Sequence, residues 1–290
     1  MVGTLKIWLG DQVVDEGEAQ VSVFDAGFQS GDAVWEGMRV YNGKVFKLDQ
    51  HLERLEESAR ALNIQLPGNR EHIAGAIYQS LDANGFTTDT HIRLMVTRGR
   101  RRTSGMNPAT APERGFLVII PENKPVEIDP TPLTLRTASV RRPQPHVLPA
   151  TLHHSNQLNS IVARLEVKNV PGVDAALMLD EFGYVAEVDN ANIFFANGKM
   201  VATPFGTACL RGITRQTVLE LAEDAGYRAV EQQFALHDLY TADEVFVTGT
   251  QCELTPVTEI DGRPIGAGKP GPVWRDLLTR YRDLVQASVK

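Results

Sequence analysis

Three separated segments of the chain carry residues suited to binding a small anion. In the run 210–215, Gly212 stands just ahead of a stretch whose apolar periodicity predicts a helix. Glycine lets a backbone approach a ligand closely, and a helix start offers free N–H groups and a positive dipole end, which suits phosphate. The second segment, 247–251, is a predicted strand running into a glycine- and hydroxyl-containing turn, and the third is Arg54 with His51 one turn earlier. Each is weak alone, since such a glycine is often only a helix cap and such an arginine a solvated charge.

The elements that must position these residues follow from hydrophobic patterning. Apolar residues at three- and four-residue steps predict a helix that starts with Asp49 as its N-cap and ends at Pro67-Gly68. The alternation around Gly10-Asp11 predicts a hairpin. The remaining patterns predict helices over 73–81 and 214–225, and strands over 92–97, 116–120, 175–179, 191–196 and 245–247, with a tight turn at Asn197-Gly198.

This order of elements predicts the fold class. Strands dominate and strict alternation of strand and helix is absent, which favours an α+β fold over a doubly wound sheet. The breaker-rich stretch 121–125 marks the best boundary. We therefore expect an N-terminal α+β domain over 1–122, a linker over 123–128 and a C-terminal α+β domain over 129–290, with a ligand cleft between the domains.

Composition excludes several classes of function. The 290 residues include 29 Lys+Arg and 36 Asp+Glu, a net charge of -7, which disfavours general attraction to nucleic acid or anionic membrane. Two cysteines are too few for a disulfide framework, and no metal site is expected. The first residues lack a signal-peptide pattern, and no apolar stretch approaches the roughly 20 residues that span a bilayer. A cytoplasmic protein acting on small molecules is the expectation.

Taken in order, the motifs resemble those of the class IV aminotransferases, the fold-type IV group of pyridoxal phosphate (PLP) enzymes. The N-terminal signature is similar at 24–28 (Phe-Asp-Ala-Gly-Phe), 35–39 (Trp-Glu-Gly-Met-Arg) and 51–55 (His-Leu-Glu-Arg-Leu). The C-terminal half is similar at 183–187, 192–194, 203–204, 212–215, 243–250 and 261–272. The group includes branched-chain and D-amino acid aminotransferases, (R)-amine transaminases and aminodeoxychorismate lyases. The resemblance covers nearly the whole chain and implies a two-domain fold like that of D-amino acid aminotransferase.

The resemblance implies a role for each matching position. Arg54 should grip the cofactor phosphate, because a guanidinium fork suits phosphate oxygens. The backbone after Gly212, through the amides of Ile213 and Thr214, should complete the phosphate site together with the Thr250 hydroxyl. Another implied cofactor contact, Glu187, should face the pyridine nitrogen and keep it protonated, which makes the ring an electron sink.

Substrate contacts and assembly are also implied. Arg98 in the run 98–102 resembles the residue with which several members of the family reach the substrate carboxylate, although a run of arginines is commonly a solvated loop. Arg39 and Gln251 are further candidates for binding an amino or keto acid. The family completes each site with residues of a second subunit, and the segment 24–39 matches that part, so we expect a homodimer.

The chain departs from the family where the cofactor-binding lysine belongs. That lysine precedes an Asn-aromatic-Leu stretch and a helix, and here 151–160 reads Thr-Leu-His-His-Ser-Asn-Gln-Leu-Asn-Ser. Aligning Asn156 and Leu158 assigns His153 to the lysine position, and a shift by one residue would assign His154 instead. The nearest lysines, at 124 and 168, lie in the predicted linker and well down the following helix. No lysine is in place.

The departure has a chemical consequence. Imidazole forms no stable imine with the cofactor aldehyde, so PLP or pyridoxamine phosphate (PMP) is expected to bind without a covalent link. Histidine can move protons near neutral pH, so His153 could take over the shuttling of the substrate Cα proton. The alternative is a degenerate site in which His153 and His154 only pack or meet solvent.

Four functions remain open at this stage. The first is an aminotransferase-like reaction, or only one half of it, with non-covalent cofactor. The second is a lyase or racemase on the same scaffold, since both begin from the same carbanion. The third is a catalytically inactive protein that binds PLP or another metabolite. The fourth is a fold that has lost PLP and uses the two histidines otherwise, which the retention of Arg54, Glu187 and Thr250 disfavours.

Overall fold

The computed structural model describes residues 4–207 and 209–289, which form two compact units. The first unit runs to Val126 and also includes Leu152–Asn156 and the residues from Ser288 on. The second is made of Glu127–Thr151 and Gln157–Ala287. The domain limits expected from the sequence stay a prediction, and they did not include this exchange of segments.

The first unit combines one antiparallel sheet with three helices. The sheet has six strands in the order β2-β1-β6-β5-β3-β4. Its strands are β1 (Lys6–Leu9), β2 (Gln12–Asp15), β3 (Ala33–Tyr41), β4 (Lys44–Val45), β5 (Thr90–Thr97) and β6 (Phe116–Asn123). Its helices are α1 (Ala26–Ser30), α2 (Leu48–Ala61) and α3 (Arg70–Asn84), with short 3-10 turns at Glu16–Glu18 and Pro108–Thr110.

One face of this sheet packs against α2 and α3. Alternate residues of β3 and β5 point into the core, and α2 contributes Leu52 and Leu55, which are buried. Burying such a side chain stabilises the fold by roughly 1.5–3 kcal/mol. Helix α2 therefore presents one fixed face to β3. The polar residues on that face are buried together with the leucines.

Two expectations about the ends of elements are wrong. Asp49 lies in the first turn of α2 rather than at its N-cap, which is Lys47 in a left-handed conformation. The helix ends at Ala61, before Pro67, because Asn63 takes a positive φ of 50° and turns the chain. Strand β6 also continues through Pro121, which faces Ile92 of β5, so this proline does not end the strand.

The second unit is built on a larger, mixed sheet. Its main path is β12-β11-β10-β13-β14-β7-β8-β9, with β15 paired to β14. The strands are β7 (Leu133–Arg141), β8 (Ala175–Leu179), β9 (Val185–Val188), β10 (Asn192–Asn197), β11 (Met200–Pro204), β12 (Arg228–Gln232), β13 (Glu244–Gly249), β14 (Glu253–Ile260) and β15 (Arg263–Pro264). The helices are α4 (Leu158–Val167), α5 (Ile213–Asp224), α6 (Leu236–Tyr240) and α7 (Pro272–Ser288).

Parallel and antiparallel pairs occur together in this sheet for a local reason. The predicted turn at Asn197-Gly198 is confirmed, with Gly198 at φ 55°, and it joins β10 to β11 as an antiparallel hairpin. Strand β12 then pairs parallel to β11, because α5 lies between them in sequence and carries the chain back. The connection from the end of β11 at Pro204 to the start of α5 at Ile213 is residues 205–212.

The segment Leu152–Asn156 joins the first unit through its backbone. The Trp35 N–H donates to the His153 carbonyl at 3.0 Å, and the Ser155 N–H donates to the Ala33 carbonyl at 2.9 Å. These bonds form a short antiparallel bridge in which Val34 faces His154. The backbone of His153 is thus held against the start of β3 independently of its side chain.

Two features that the described residues lack bear on the function classes. None of the helices there has the length and apolar character to cross a membrane. The same residues hold no group of three or more His, Cys, Asp or Glu side chains arranged for a metal ion. The cytoplasmic location stays a prediction.

Candidate functional site

The first unit contains a buried carboxylate surrounded by cationic and imidazole side chains. Glu36 lies in the middle of β3 and is 0% exposed. From α2, Arg54 Nε donates to Glu36 Oε1 at 2.8 Å and Arg54 Nη2 donates to Oε2 at 2.7 Å. His51 Nδ1 contacts Oε2 at 2.7 Å, and His153 Nδ1 contacts Oε1 at 3.1 Å. Both carboxylate oxygens are therefore shared between two partners.

The pair His51 and Arg54 reaches Glu36 because of helical spacing. Residues three apart lie on the same face of a helix, and the buried face of α2 is directed at β3. The expectation that His51 and Arg54 share one side of a helix is confirmed. The bidentate contact with Glu36 fixes the plane of the Arg54 guanidinium.

The His153 ring is held on several sides. Its backbone N–H donates to Ser58 Oγ at 3.2 Å. The Trp35 ring packs against it with the centroids 4.0 Å apart and a tilt of 41°, and the Trp35 Nε1–H donates to the His154 carbonyl. The guanidinium carbon of Arg93 lies 4.1 Å from the centroid of the Trp35 ring. The position of the imidazole is therefore set by contacts within the protein alone.

The ionisation of this cluster follows from its burial and its charges. Burial opposes ionisation of Glu36, but the Arg54 charge and hydrogen bonds outweigh burial and hold the pKa of Glu36 well below its usual value. Burial lowers the pKa of His51 and lowers the pKa of His153 to about 4, against the opposing attraction of Glu36. At neutral pH the cluster is an arginine–carboxylate pair flanked by two neutral imidazoles.

The second unit contains the expected helix start. Helix α5 begins at Ile213, with Gly212 as an N-cap in extended conformation, and no side chain caps it. A side chain at position 212 has no room, because a Cβ there would lie 2.1 Å from Asn192 Oδ1. Uncapped N–H groups at the end of a helix carry a partial positive charge, which favours an anion at this position.

Glu187 is tied to this helix start. It lies on β9, 7% exposed, and the Leu210 N–H donates to Glu187 Oε2 at 3.1 Å. Asn192 Nδ2 donates to the Leu210 carbonyl at 2.8 Å and lies 3.4 Å from Glu187 Oε2. The other carboxylate oxygen, Oε1, is 2.7 Å from Arg142 Nη2. Burial raises the pKa of Glu187, although the charge of Arg142 and the Leu210 N–H oppose that rise.

Two further expected residues lie after β13. Thr250 and Gln251 follow the end of β13 in a turn, with Thr250 half-buried and Gln251 exposed. Just before them, the Thr248 hydroxyl is buried and has no hydrogen-bond partner in the part of the chain that the structure describes. Burying an unpaired hydroxyl costs free energy, so Thr248 marks this strand end as a place where a polar partner is missing.

The two arginines assigned to substrate are engaged within the first unit. Arg98 donates through Nε to Asp32 Oδ2 at 2.7 Å and through Nη2 to Asp32 Oδ1 at 3.0 Å, and it also donates to the carbonyls of Leu62 and Asn63. Arg39 is 2% exposed and donates through Nη1 to the Lys124 carbonyl at 2.7 Å. A substrate carboxylate would have to compete with these contacts.

The structure brings the expected residues together in two groups. In the first unit, Arg54 and His153 meet on Glu36. In the second, Glu187 and the residues that lead into α5 are linked. The assignment of cofactor and substrate contacts to these residues stays a prediction.

Sequence reasoning gave no role to three residues that shape these groups. Glu36 organises the first, Arg142 pairs with Glu187 in the second, and Trp35 packs on His153. A signal existed for Arg142, since it follows β7 as part of an Arg-Arg-Pro run close to the 151–160 segment. For Glu36, the only sign was a charged residue at an inward position of an apolar strand.

Comparison with known proteins gives the same family over most of the chain. The sequence profile described as Amino-transferase class IV matches residues 33–260. A branched-chain-amino-acid aminotransferase of Pseudomonas aeruginosa is 34% identical over 293 residues, covering 98% of this chain and 94% of that protein. In Arabidopsis thaliana, branched-chain-amino-acid aminotransferase-like protein 2 is 46% identical over 285 residues, covering 98% of this chain. The chain spans about half the length of that relative, 51%.

A solved structure agrees with this result. The branched-chain amino acid aminotransferase of T.th., complexed with N-(5'-phosphopyridoxyl)-L-glutamate, superposes with a TM-score of 0.92 at 32% identity. The match covers 100% of this chain and 96% of that chain. The expected two-domain aminotransferase fold is confirmed.

Proposed function

Because the chain belongs to the class IV aminotransferase family, we propose that it transfers amino groups between small amino and keto acids, or carries out one half of that reaction. The proposal includes PLP or PMP as the cofactor, since the similar T.th. structure holds a phosphopyridoxyl adduct. We also propose that the cofactor is bound without a covalent link.

The second unit fits such a cofactor. The uncapped start of α5, through the amides of Ile213 and Thr214, suits a phosphate, and Gly212 leaves the room that a side chain would fill. The orphaned Thr248 hydroxyl lies just ahead of Thr250, the residue whose hydroxyl we assign to the same phosphate. Glu187 is a buried acceptor to which we assign a protonated pyridine nitrogen.

The first unit fits a cofactor that is not covalently held. We assign a phosphate contact to Arg54, whose guanidinium Glu36 orients. In the described residues, the hydrogen-bond contacts of the His153 side chain are with Glu36 and Arg54, and its ring contact is with Trp35. None of these partners is a lysine. Lys124, the nearest lysine before this segment, is paired with Glu122.

When bound, the cofactor supplies an electron sink for the charge that develops at the substrate Cα. What the chain must supply is a base that takes the Cα proton and keeps it away from solvent. We assign that role to His153. It is almost fully buried, and burial lowers its pKa to about 4, so at neutral pH the ring is unprotonated and one of its nitrogens carries a lone pair. A lysine would also have formed the covalent link, whereas imidazole can carry only the proton.

The observation that carries the proposal is the placement of His153. A side chain that had only replaced a lost lysine would have no reason to be fixed by a carboxylate and a tryptophan ring packed against it. Here the ring lies 3.1 Å from Glu36 and 4.0 Å from Trp35. This degree of order is what an acid-base group needs, since proton transfer depends on geometry before it depends on pKa.

The experiment that tests the proposal uses purified protein and added PLP. Dialysis after borohydride reduction should leave no cofactor attached to the chain, whereas a protein with a covalent imine would retain it. Addition of an amino acid should convert bound PLP to PMP, followed by absorbance. His153→Ala should slow this conversion by roughly 10²–10⁴, the usual contribution of a positioned acid-base group.

His154→Asn is the matched control, because it alters the neighbouring histidine. If His154→Asn slows the conversion and His153→Ala does not, the base is His154 rather than His153. If wild type and His153→Ala convert PLP equally, the shuttle is wrong. If no conversion occurs but PLP binds, the chain is a cofactor-binding protein without turnover.

We further propose that the protein is a homodimer. Helix α4 exposes Leu158, Ile161, Val162 and Leu165, at spacings of three, four and seven residues, which form one apolar stripe. A contiguous apolar surface of this kind favours association, and a second copy would present the same stripe. Sedimentation velocity should give a dimer, and Leu165→Lys should shift it toward monomer. A wild-type monomer at micromolar concentration would contradict the proposal.

A further inference from the structure

The contacts of Glu36 determine which nitrogen of His153 carries the proton. An ionised carboxylate only accepts hydrogen bonds. The low pKa of Glu36 means that it is ionised at neutral pH. His153 Nδ1 lies 3.1 Å from Glu36 Oε1, so the neutral ring must present Nδ1–H to that oxygen. The lone pair is then on Nε2.

The neighbouring Arg54 does not offer an alternative. Arg54 Nη2 lies 3.3 Å from His153 Nδ1, longer than either of the contacts that Arg54 makes with Glu36. A guanidinium has only donors, so a bond from Arg54 to Nδ1 would need the tautomer that turns the Nδ1 lone pair toward the Glu36 carboxylate 3.1 Å away, an arrangement that repulsion between the two lone pairs disfavours. Glu36 is the acceptor that both groups use.

The second ring nitrogen of His153 is the one left for chemistry. Nε2 has no hydrogen-bond partner among residues 4–207 and 209–289, and the side chain is 10% exposed. His51 uses the same carboxylate through its own Nδ1 but lies deeper, at 1% exposed. The two histidines therefore share an anchor, and the His153 side chain is the more exposed of the two, at 10% against 2% for His51.

We propose that Glu36 is the positioning residue that fixes the tautomer and the ring orientation of His153, so that the Nε2 lone pair serves as the base. The arrangement has the logic of a carboxylate that holds a catalytic imidazole in its reactive tautomer. The proposal rests on the proposed function only for the use made of that base. The tautomer itself is a property of the protein alone.

The surroundings of His153 contain few other groups that could set its protonation. Strand β3 contributes Glu36 and the Trp35 ring, which has Arg93 of β5 on it at 4.1 Å. Helix α2 contributes Arg54 and His51. Among these, Glu36 is the only anion, so its removal should act on His153 directly.

The first test is nitrogen-15 NMR of the imidazoles in the full-length protein, with and without added PMP. His153→Gln identifies the His153 signals by their loss. At pH 7 the wild-type ring should show a protonated Nδ1 and an unprotonated Nε2. A ring with the proton on Nε2, or an even mixture of tautomers, would overturn the proposal.

The second test compares Glu36→Gln with Glu56→Gln. Glu56 makes a similar two-point contact with Arg70, at 2.8 and 2.7 Å, but on the surface. Glu36→Gln should shift the tautomer populations of His153 and slow the conversion of PLP by about 100-fold or more. It should also move the acid limb of the pH–rate profile to lower pH, because an anion that favours the protonated ring is gone. Glu56→Gln should change none of these.

The outcomes separate positioning from a purely structural role. A slower Glu36→Gln protein whose acid limb and tautomer stay unchanged would overturn the proposal. If Glu36→Gln does not fold, the wild-type tautomer still decides. If the tautomer is as expected but His153→Ala retains full activity, the proposed shuttle fails while the role of Glu36 in setting the ring stands.

Discussion

Glu36 in the first unit and Glu187 in the second are both buried carboxylates, and the groups that hold them differ. Glu36 accepts from a bidentate arginine and two histidines, all of them side chains. Glu187 has one arginine contact, one backbone N–H and a distant amide. Burial opposes ionisation at both, yet the pKa of Glu36 is lowered and the pKa of Glu187 is raised.

The difference indicates that the number and geometry of donors, rather than burial alone, set the direction in which the pKa of a buried carboxylate moves. Both oxygens of Glu36 have hydrogen-bond partners from the chain itself, and the carboxylate holds those side chains in place. Glu187 has fewer hydrogen-bond donors from the chain, which suits a carboxylate whose further cationic partner is a bound ligand. In our proposal the first carboxylate acts on the protein and the second acts on the ligand.

The largest expected effect comes from removing the anchor. Glu36→Leu leaves the Arg54 charge without its buried counter-ion, so we expect a loss of about 3–5 kcal/mol in the free energy of unfolding, measured by urea denaturation. The double variant Glu36→Leu/Arg54→Met should recover a large part of that loss, because no uncompensated charge remains. A double variant as unstable as the single would show that the charge pair is not the cause.

Removing the cation beside Glu187 should cost less. In Arg142→Met the carboxylate loses a charged donor, worth about 1.5–3 kcal/mol, but it can take up a proton because its pKa is already raised. Urea denaturation should therefore show a smaller loss than for Glu36→Leu, and the loss should shrink at lower pH. If Arg142→Met is the more destabilising of the two, the contrast between the two glutamates is wrong.

A methyl group at the helix start should act on Glu187 indirectly. The Cβ of Gly212→Ala would meet Asn192 Oδ1 at 2.1 Å and push that side chain away from Leu210. We expect a loss of roughly 1–3 kcal/mol and weaker PLP binding, measured by fluorescence quenching. The matched control is Gly75→Ala in α3, where a Cβ has open space. Equal effects of the two substitutions would contradict the steric argument.

Acid should destabilise the first unit gradually through His153 and through His91, a buried residue of β5. The pKa of His153 and that of His91 are each lowered to about 4, from 6.5, mainly by burial. Between pH 6.5 and 4 the unfolded chain binds protons that the native chain does not, so stability falls as pH falls through this window. Each histidine contributes at most about 1.4 kcal/mol per pH unit. His91→Asn should reduce the slope of unfolding free energy against pH, and an unchanged slope would count against this assignment.

Much of the fold was predictable from the sequence because local patterning and burial agree. The helix α3 and the strands β5, β8 and β13 lie where periodicity predicted them. The amphipathic helix α7 (Pro272–Ser288) was also readable but was not predicted. The strand β7 (Leu133–Arg141) was harder to predict, because its buried and exposed residues do not alternate. It pairs in parallel with β14 on one side and with β8 on the other.

The candidate site was predictable where its residues are close in sequence. Helical spacing alone brings His51 and Arg54 to one face. By contrast, Glu36 and His153 are 117 positions apart, and no local pattern relates them. The motif around 151–160 identified His153 as the replacement for a lysine, but what holds the imidazole depends on tertiary contacts that a sequence does not display.

The route of the chain through the first unit has a consequence for synthesis. That unit needs residues up to Val126, then 152–156, and finally Val289, whose carbonyl accepts from Asn42 Nδ2. A growing chain adds roughly 5–20 residues per second, so the sheet of this unit exists for seconds before His153 can reach Glu36. During that interval the buried carboxylate has Arg54 and His51 but not its third partner. A ribosome-bound chain that has emerged only to residue 130 should therefore carry a β3 whose first residues pair with β5 on one edge and are open on the other. Limited proteolysis should cut there more readily than it does once residue 156 has emerged.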